Sequence, residues 1–218
     1  MRYIYMLPAA FFVPVIHEWV KAMVSTALGD PTPRERGYLT LNPFRYFEPI
    51  GFLFVLIFGY GWGNPTPTAA LHYRDRQKGI IITYVTPVLV NLLLGIGAVI
   101  GVNILINAHF SHVPYNMFFF FLHASEWTTD IYTLSILLLS HFAFVNINIA
   151  LFNLIPVYPL AANKLLLLFS QPDNIARFTH YEKPMQVGMV LMLAFGIIGS
   201  ILHPIAQLII RASWGIGV

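Results

Sequence analysis

The 218 residues are 57% hydrophobic and 10% charged, whereas a soluble domain averages about 25% charged residues. So few charges cannot coat a water-facing surface, which excludes an ordinary soluble enzyme and points to one membrane-embedded unit over residues 1–218, with the lipid bilayer as its first partner. The net charge of +3 is small and spread over short loops, a pattern of membrane orientation that speaks against nucleic-acid binding, and the absence of cysteine excludes disulfides and thiolate metal sites.

A bilayer core takes about 20 apolar residues per helical span, and within lipid the backbone must satisfy its own hydrogen bonds, so the long apolar runs are expected as helices. The first run covers Tyr3 to about Leu28 and is interrupted by His17, Glu18 and Lys21. Its length and its central charges do not suit a cleaved signal peptide. A polar stretch follows at 29–48, where Pro31 and Pro33 bar a regular helix at the start and Leu39-Thr40-Leu41 is expected as a short extended, membrane-associated piece. The run from Pro49 to Trp62 is too short for a straight crossing, and residues 63–78 form a Pro- and Arg-bearing loop. Gly79 to Ala108 is long enough to span, with Pro87 as a candidate kink and Gly97 and Gly101 as a small-residue pair. Within 109–130, Phe118 to Phe121 and Trp127 suggest an aromatic belt at the membrane interface. Ile131 to Leu168 is broken by Pro156 and Pro159, a loop covers 170–183, and a C-terminal transmembrane helix is expected over about 185–210, with Pro204 as a candidate kink. The predicted class is an all-α polytopic membrane protein. Lys and Arg in the loops at 63–78 and 170–183, against none at 109–130, favour a cytoplasmic side for the first two loops and the N-terminus, which puts the basic stretch 29–48 on the opposite side unless it folds into the membrane interface.

Two local signals carry chemistry. Ionisable groups at membrane depth are costly and usually face a bundle interior, which singles out His17-Glu18 in the first helix. Zinc hydrolases use H-E-x-x-H because residues four apart share a helix face, so that two imidazoles bind the metal and the Glu polarises its water. Here the fifth position is Lys21, whose ammonium repels a zinc ion and has no lone pair to donate. A lone His–Glu pair bonded across helices is the plainer alternative. The second signal is Asn153 to Leu160, where two prolines break a helix. Such a break is tolerated at depth where protein or a watery cavity surrounds it, and a simple proline kink is the alternative there.

Taken in order, these pieces resemble the site-2 protease family of intramembrane zinc metalloproteases over about residues 10–165. His17-Glu18 resembles the start of its H-E-x-x-H helix. Gly29-Asp30-Pro31-Thr32, Leu39-Thr40-Leu41-Asn42-Pro43 and Glu48-Pro49-Ile50-Gly51 resemble the stretches that follow, the last matching D-P-I-G. Gly61-Trp62-Gly63-Asn64-Pro65-Thr66-Pro67 resembles G-W-A-K-P-V-P, and Asn153 to Leu160 resembles the N-L-I-P-x-P-P-L that leads into D-G. The resemblance implies a transmembrane helix bundle with the short extended piece. It also implies His17 as a remnant zinc ligand, Glu18 as the remnant general base, and Asn153, Pro156 and Pro159 as positions that present an unwound substrate segment.

The departures fall on the metal. The family's second zinc histidine corresponds to Lys21 and its zinc aspartate to Ala161, followed by Ala162 in place of Gly. A family histidine corresponds to Tyr46 and an Asp to Glu48. The Pro87 region resembles A-G-P-x-x-N loosely, with Asn91 one residue too far on. A catalytic zinc site keeps three protein ligands, and one imidazole does not hold the metal in a useful geometry. No cofactor is therefore expected, and the Lys21 ammonium is expected to replace the metal as the partner of Glu18, three residues away. Snorkelling of Lys21 to the interface is the alternative. The resulting expectation is an inactive, site-2-protease-like protein of the bacterial cytoplasmic membrane that binds or scaffolds a transmembrane client or partner subunit. Two other readings stay open. One is an active zinc protease with atypical ligands, for which His141, about 18 Å up a straight helix from Asn153, is a poor substitute, and the other histidines (His72, His109, His112, His123, His180, His203) fall mainly in loops or near segment ends. The other is a transporter or channel component built on Glu18 and Lys21.

Overall fold

The computed structural model describes residues 2–109, 116–123, 130–170 and 180–217. Ten α-helices lie in the described residues: α1 (Arg2–Ala27), α2 (Thr32–Glu35), α3 (Pro43–Tyr46), α4 (Pro49–Phe58), α5 (Arg76–His109), α6 (Asn116–Leu122), α7 (Ile131–Phe152), α8 (Ala161–Leu168), α9 (Glu182–Ala194) and α10 (Ile197–Trp214). Four of them are long and apolar enough to cross a bilayer, over Tyr3–Ala27, Arg76–Ala108, Ile131–Phe152 and Ile197–Trp214. The protein is an all-α polytopic membrane protein.

Its centre is the trio α1, α5 and α7, which pack against one another. The last three turns of α7 are buried nearly all round, polar Ser140, His141, Asn146 and Asn148 included. A helix without a polar face can hold that place only when other helices surround it. The outer helices show the opposite pattern. On α10, Ile198, Leu202, Ala206 and Ile210 recur every four residues and face the core, while Ile197, Ile201, Ile205 and Leu208 on the other side are exposed. A helix apolar on both faces fits a bundle whose solvent is lipid.

Several local expectations change. The piece at Leu39-Thr40-Leu41 forms no strand. It is a bend leading to Asn42, whose side chain accepts the Phe44 N–H and caps α3, and among the described residues no neighbouring strand offers it a ladder. Helices α5 and α10 run through Pro87 and Pro204 without interruption. The C-terminal run instead breaks at Phe195-Gly196, where Gly196 takes φ +74° and its N–H donates to Leu193 O, a left-handed stop that glycine adopts without steric cost. Phe118 and Phe121 do not line an interface: both are buried, and Phe118 meets Trp214 edge to face at 6.4 Å. Their short helix packs on α7, so the rings fill the bundle end. Trp127 lies outside the described residues. Of the small-residue pair on α5, Gly101 has a close neighbour, Leu139 at 3.1 Å from a Cβ there, while nothing lies within 4 Å of such an atom at Gly97; the tightest approach is at Gly95, where a Cβ would meet Ile147 at 2.6 Å.

Helix α4 is too short to cross, and its end decides where the following loop goes. Gly59, at φ +81°, closes α4 by donating to Val55 O. The chain then returns along α4 so closely that a Cβ on Gly51 would sit 2.0 Å from Trp62 O, and one on Gly61 2.2 Å from Gly51 O. Two glycines facing each other thus let residues 60–67 lie against α1. Gly51→Ala is expected to lower the thermal unfolding midpoint of the detergent-solubilised protein by several degrees, while Gly97→Ala leaves it within error. Equal midpoints for the two variants would show that the close approach is not needed.

Candidate functional site

Three ionisable residues of α1 are turned inward: His17, Glu18 and Lys21 are 3%, 6% and 2% exposed. Positions 17, 18 and 21 cluster on one side of a 3.6-residue helix, and that side faces α5, α7 and the loop 60–67. Lys21 Nζ donates to Glu18 Oε1 at 2.7 Å and lies 5.4 Å from the centre of the Tyr84 ring on α5, within cation–π range. Lys21 therefore does not snorkel. The second oxygen of Glu18 accepts the Thr66 backbone N–H at 2.7 Å, and the Thr66 hydroxyl donates to Glu18 O at 2.9 Å. The carboxylate is thus partnered on both oxygens, as a buried charge requires.

His17 is held from the other side. Its Nδ1 lies 2.8 Å from Asn91 Oδ1, and Asn91 in turn donates through Nδ2 to Asn146 Oδ1 at 2.9 Å, with Asn146 donating to Phe142 O at 2.8 Å. This relay sets the tautomer. With the Asn91 carbonyl turned to His17, Nδ1 carries the proton and Nε2 keeps a lone pair. That Nε2 is buried with no hydrogen-bond partner among the described residues. A cavity of about 10 Å³ lies here, lined by His17, Glu18, Trp62, Asn153 and Pro159 among others, which is about the space of one water.

The break after α7 closes this cavity. Asn153 uses its whole amide to do so, since Nδ2 donates to Ile149 O at 2.9 Å and Oδ1 accepts Ala161 N–H at 3.2 Å, while the Asn153 carbonyl accepts Ala162 N–H at 3.0 Å. Asn153 and Pro159 both line the cavity beside His17. Pro156 is exposed and does not line the cavity. Ala161 is buried in a small apolar cluster with Tyr84, Val88 and Ala150, so the residue under the Lys21 ammonium also packs near the methyl at position 161. Tyr46 is buried, its hydroxyl donates to Tyr38 O, and burial, followed by the nearby Glu18 charge, pushes its phenol up to about 12. The phenol stays neutral, and the Tyr46 backbone carbonyl braces the loop by accepting the Asn64 N–H at 2.7 Å.

A three-ligand zinc centre does not fit these side chains. Lys21 brings a positive charge to the carboxylate, Ala161 offers no donor atom, and among the described residues no three His, Asp or Glu side chains converge on a point. Among the described histidine side chains only His17 lines this cavity. His123, His141 and His203 line a different one, of about 390 Å³. His72 is half exposed and pairs with Asp30 at 3.4 Å, and His180 is exposed. His112 lies outside the described residues.

Sequence reasoning undervalued Asn91 and overlooked Asn146. Asn91 sits one residue off the family spacing, yet α5 is helical there, and a one-residue offset still leaves it on the side that meets His17. The available signal was the burial cost of an asparagine in an apolar helix.

The chain is 30% identical over 168 residues to the protein named "Putative zinc metalloprotease YwhC" of Bacillus subtilis (strain 168), a match covering 77% of this chain and 69% of that protein. The bundle, the His17-Glu18 helix and the broken segment after α7 define a site-2-protease-like membrane protein. With that relative, the chain belongs to the site-2 protease family. No family model matches the chain, and no solved structure matches it.

Two measurements probe the site. Removing one member of a buried ion pair typically costs about 3–5 kcal/mol, whereas removing both leaves no lone charge. Lys21→Met is therefore expected to destabilise the protein more than Lys21→Met with Glu18→Gln, read from denaturation midpoints in detergent as a double-mutant cycle. Additive effects would mean the pair is not coupled. The second concerns Asp30, just past the membrane end of α1. Burial pushes its carboxyl up, but hydrogen bonds from Thr32, Ala69 and Ser25 outweigh this and hold it below the ordinary carboxylate range. A depressed carboxyl stabilises the fold above the unfolded pKa of about 3.9 and loses that stabilisation as pH falls through the folded value. Asp30→Asn should lower stability at neutral pH and flatten the acid decline of the unfolding midpoint below about pH 4. An unchanged acid limb would remove Asp30 as its source.

Proposed function

We propose that this protein is a catalytically inactive member of the site-2 protease family that binds or scaffolds transmembrane clients in the bacterial cytoplasmic membrane. The observation that carries this reading is the Lys21–Glu18 pair at 2.7 Å. In a zinc hydrolase the glutamate must accept a proton from metal-bound water. Here one oxygen of Glu18 faces an ammonium and the other a backbone N–H, so both oxygens of the carboxylate are already engaged, one of them in holding α1 to the loop at Thr66. Client binding is supported by the non-helical connection between α7 and α8. There Leu154 and Pro156 are exposed while Asn153 ties the ends together. Such a connection offers backbone to an unwound partner segment without further opening.

One observation favours a second reading. The His17 Nε2 lone pair faces the cavity without a hydrogen-bond partner among the described residues, and its Nδ1–H is oriented by Asn91 as the outer partner of a metal-binding imidazole would be. An active enzyme would need two further ligands from atypical positions or from another subunit. Metal analysis separates the two. Protein purified without chelators is expected to hold well below one zinc per chain. The Lys21→His, Ala161→Asp variant, with Ala162→Gly where the backbone needs it, is expected to gain zinc, because it restores three donors and leaves an open fourth position. Stoichiometric zinc in the wild type that disappears in His17→Ala would overturn the inactive reading.

A further inference from the structure

We infer that the cleft between the start of α5 and α8 is a binding site for the headgroup of an anionic phospholipid. The cleft has a volume of about 410 Å³ and lies where α5, a membrane-crossing helix, begins. Two cations from separate elements line it, Arg76 at the first turn of α5 and Lys164 on α8. Gln77 adds an amide, and Ile80, Leu167 and Tyr84 add apolar surface. This is charge and apolar wall in one cavity, the composition that suits a phosphate with acyl chains attached.

Two further features point to a lipid and away from a soluble anion. Leu71 and Phe169, each next in sequence to a lining residue, are 85% and 80% exposed. Large apolar side chains this exposed beside a cationic cleft suit the boundary between headgroups and acyl chains. The ion pairs nearby are long, although Asp75 also accepts the Lys78 backbone N–H at 3.1 Å. Glu182 lies 3.7 Å from Lys164, and Asp75 lies 3.5 Å from Lys78, while Arg76 has no ion-pair partner among the described residues. An incoming phosphate would find one unpaired guanidinium and one ammonium whose present partner is at the edge of contact. The inner wall is Tyr84, whose ring also lies beside Lys21. The inference does not rest on the inactive reading, because none of the lining cations belongs to the His17 site.

The full chain is reconstituted in mixed micelles with phosphatidylglycerol or phosphatidylcholine, and retained lipid is counted by native mass spectrometry. Wild type is expected to retain one phosphatidylglycerol in preference to phosphatidylcholine. Replacing a cation near a membrane surface weakens anionic-lipid attraction about fivefold, so Arg76→Gln and Lys164→Gln should each lose about that factor. Arg76→Lys should keep most of the retention, Lys78→Gln, outside the cleft, should change nothing, and Glu182→Gln should increase retention by removing the competing carboxylate. Equal retention of the two lipids, or loss in Lys78→Gln as large as in Arg76→Gln, would overturn the site. Displacement of the lipid by soluble glycerol phosphate at millimolar concentration would overturn the lipid assignment in favour of a free phosphate ligand.

Discussion

A buried charge in a membrane protein must be answered within the protein, and in this chain the answer is the contact between Lys21 and Glu18. On the insertion scale a lysine or acid at the centre of a membrane helix costs roughly 2.5–3.5 kcal/mol, so two such residues on one helix would oppose insertion if each stood alone. Paired at 2.7 Å, with Thr66 completing the carboxylate and Tyr84 beside the ammonium, they become an internal constraint. The loop 60–67 must reach α1 for Thr66 to donate. For the loop to reach, the backbones at Gly51 and Gly61 must nearly touch. For Tyr84 to lie beside Lys21, α5 must pack where it does.

The histidine side of the site obeys the same rule with neutral groups. Three polar side chains on three helices, His17, Asn91 and Asn146, and the backbone carbonyl of Phe142 are joined end to end. A chain of satisfied hydrogen bonds in a low-dielectric interior fixes the relative rotation of α1, α5 and α7, because turning any helix breaks a bond that lipid cannot replace. The arrangement fixes the imidazole with its Nδ1 on Asn91, beside a buried ammonium at position 21 and a methyl at position 161.

The broken segment after α7 shows how such a bundle tolerates irregular backbone. Asn153 closes the gap with its side-chain amide and its carbonyl, accepting from Ala161 and Ala162. These bonds replace the helical ladder that Pro156 and Pro159 interrupt. The same residue borders the cavity beside His17, so the stability of the break and the shape of the site are set by one side chain.

Much of this was legible in the sequence because bilayer physics leaves few options. Four long apolar runs had to be helices, a Lys three residues from a Glu on an apolar helix had to find it or reach water, and paired prolines marked a break or a kink after α7. Ordered motifs were enough to place the chain in its family. Other features were decided only by tertiary packing. Asn91 is off the family spacing and became the partner of His17 because α5 rotates it there. Gly95, and not Gly97, takes the close neighbour because Ile147 lies opposite. The C-terminal run stops at Gly196, and not at Pro204, because proline lacks only one donor, which a bundle can absorb, whereas a left-handed glycine turns the chain. Phe118 of α6 faces inward because Trp214, far along the chain, stands against it. The sequence by itself determined which residues lipid would force into pairs and helices. Which partner each polar group would meet depended on helix rotation and approach, and these are set by contacts between residues distant in sequence.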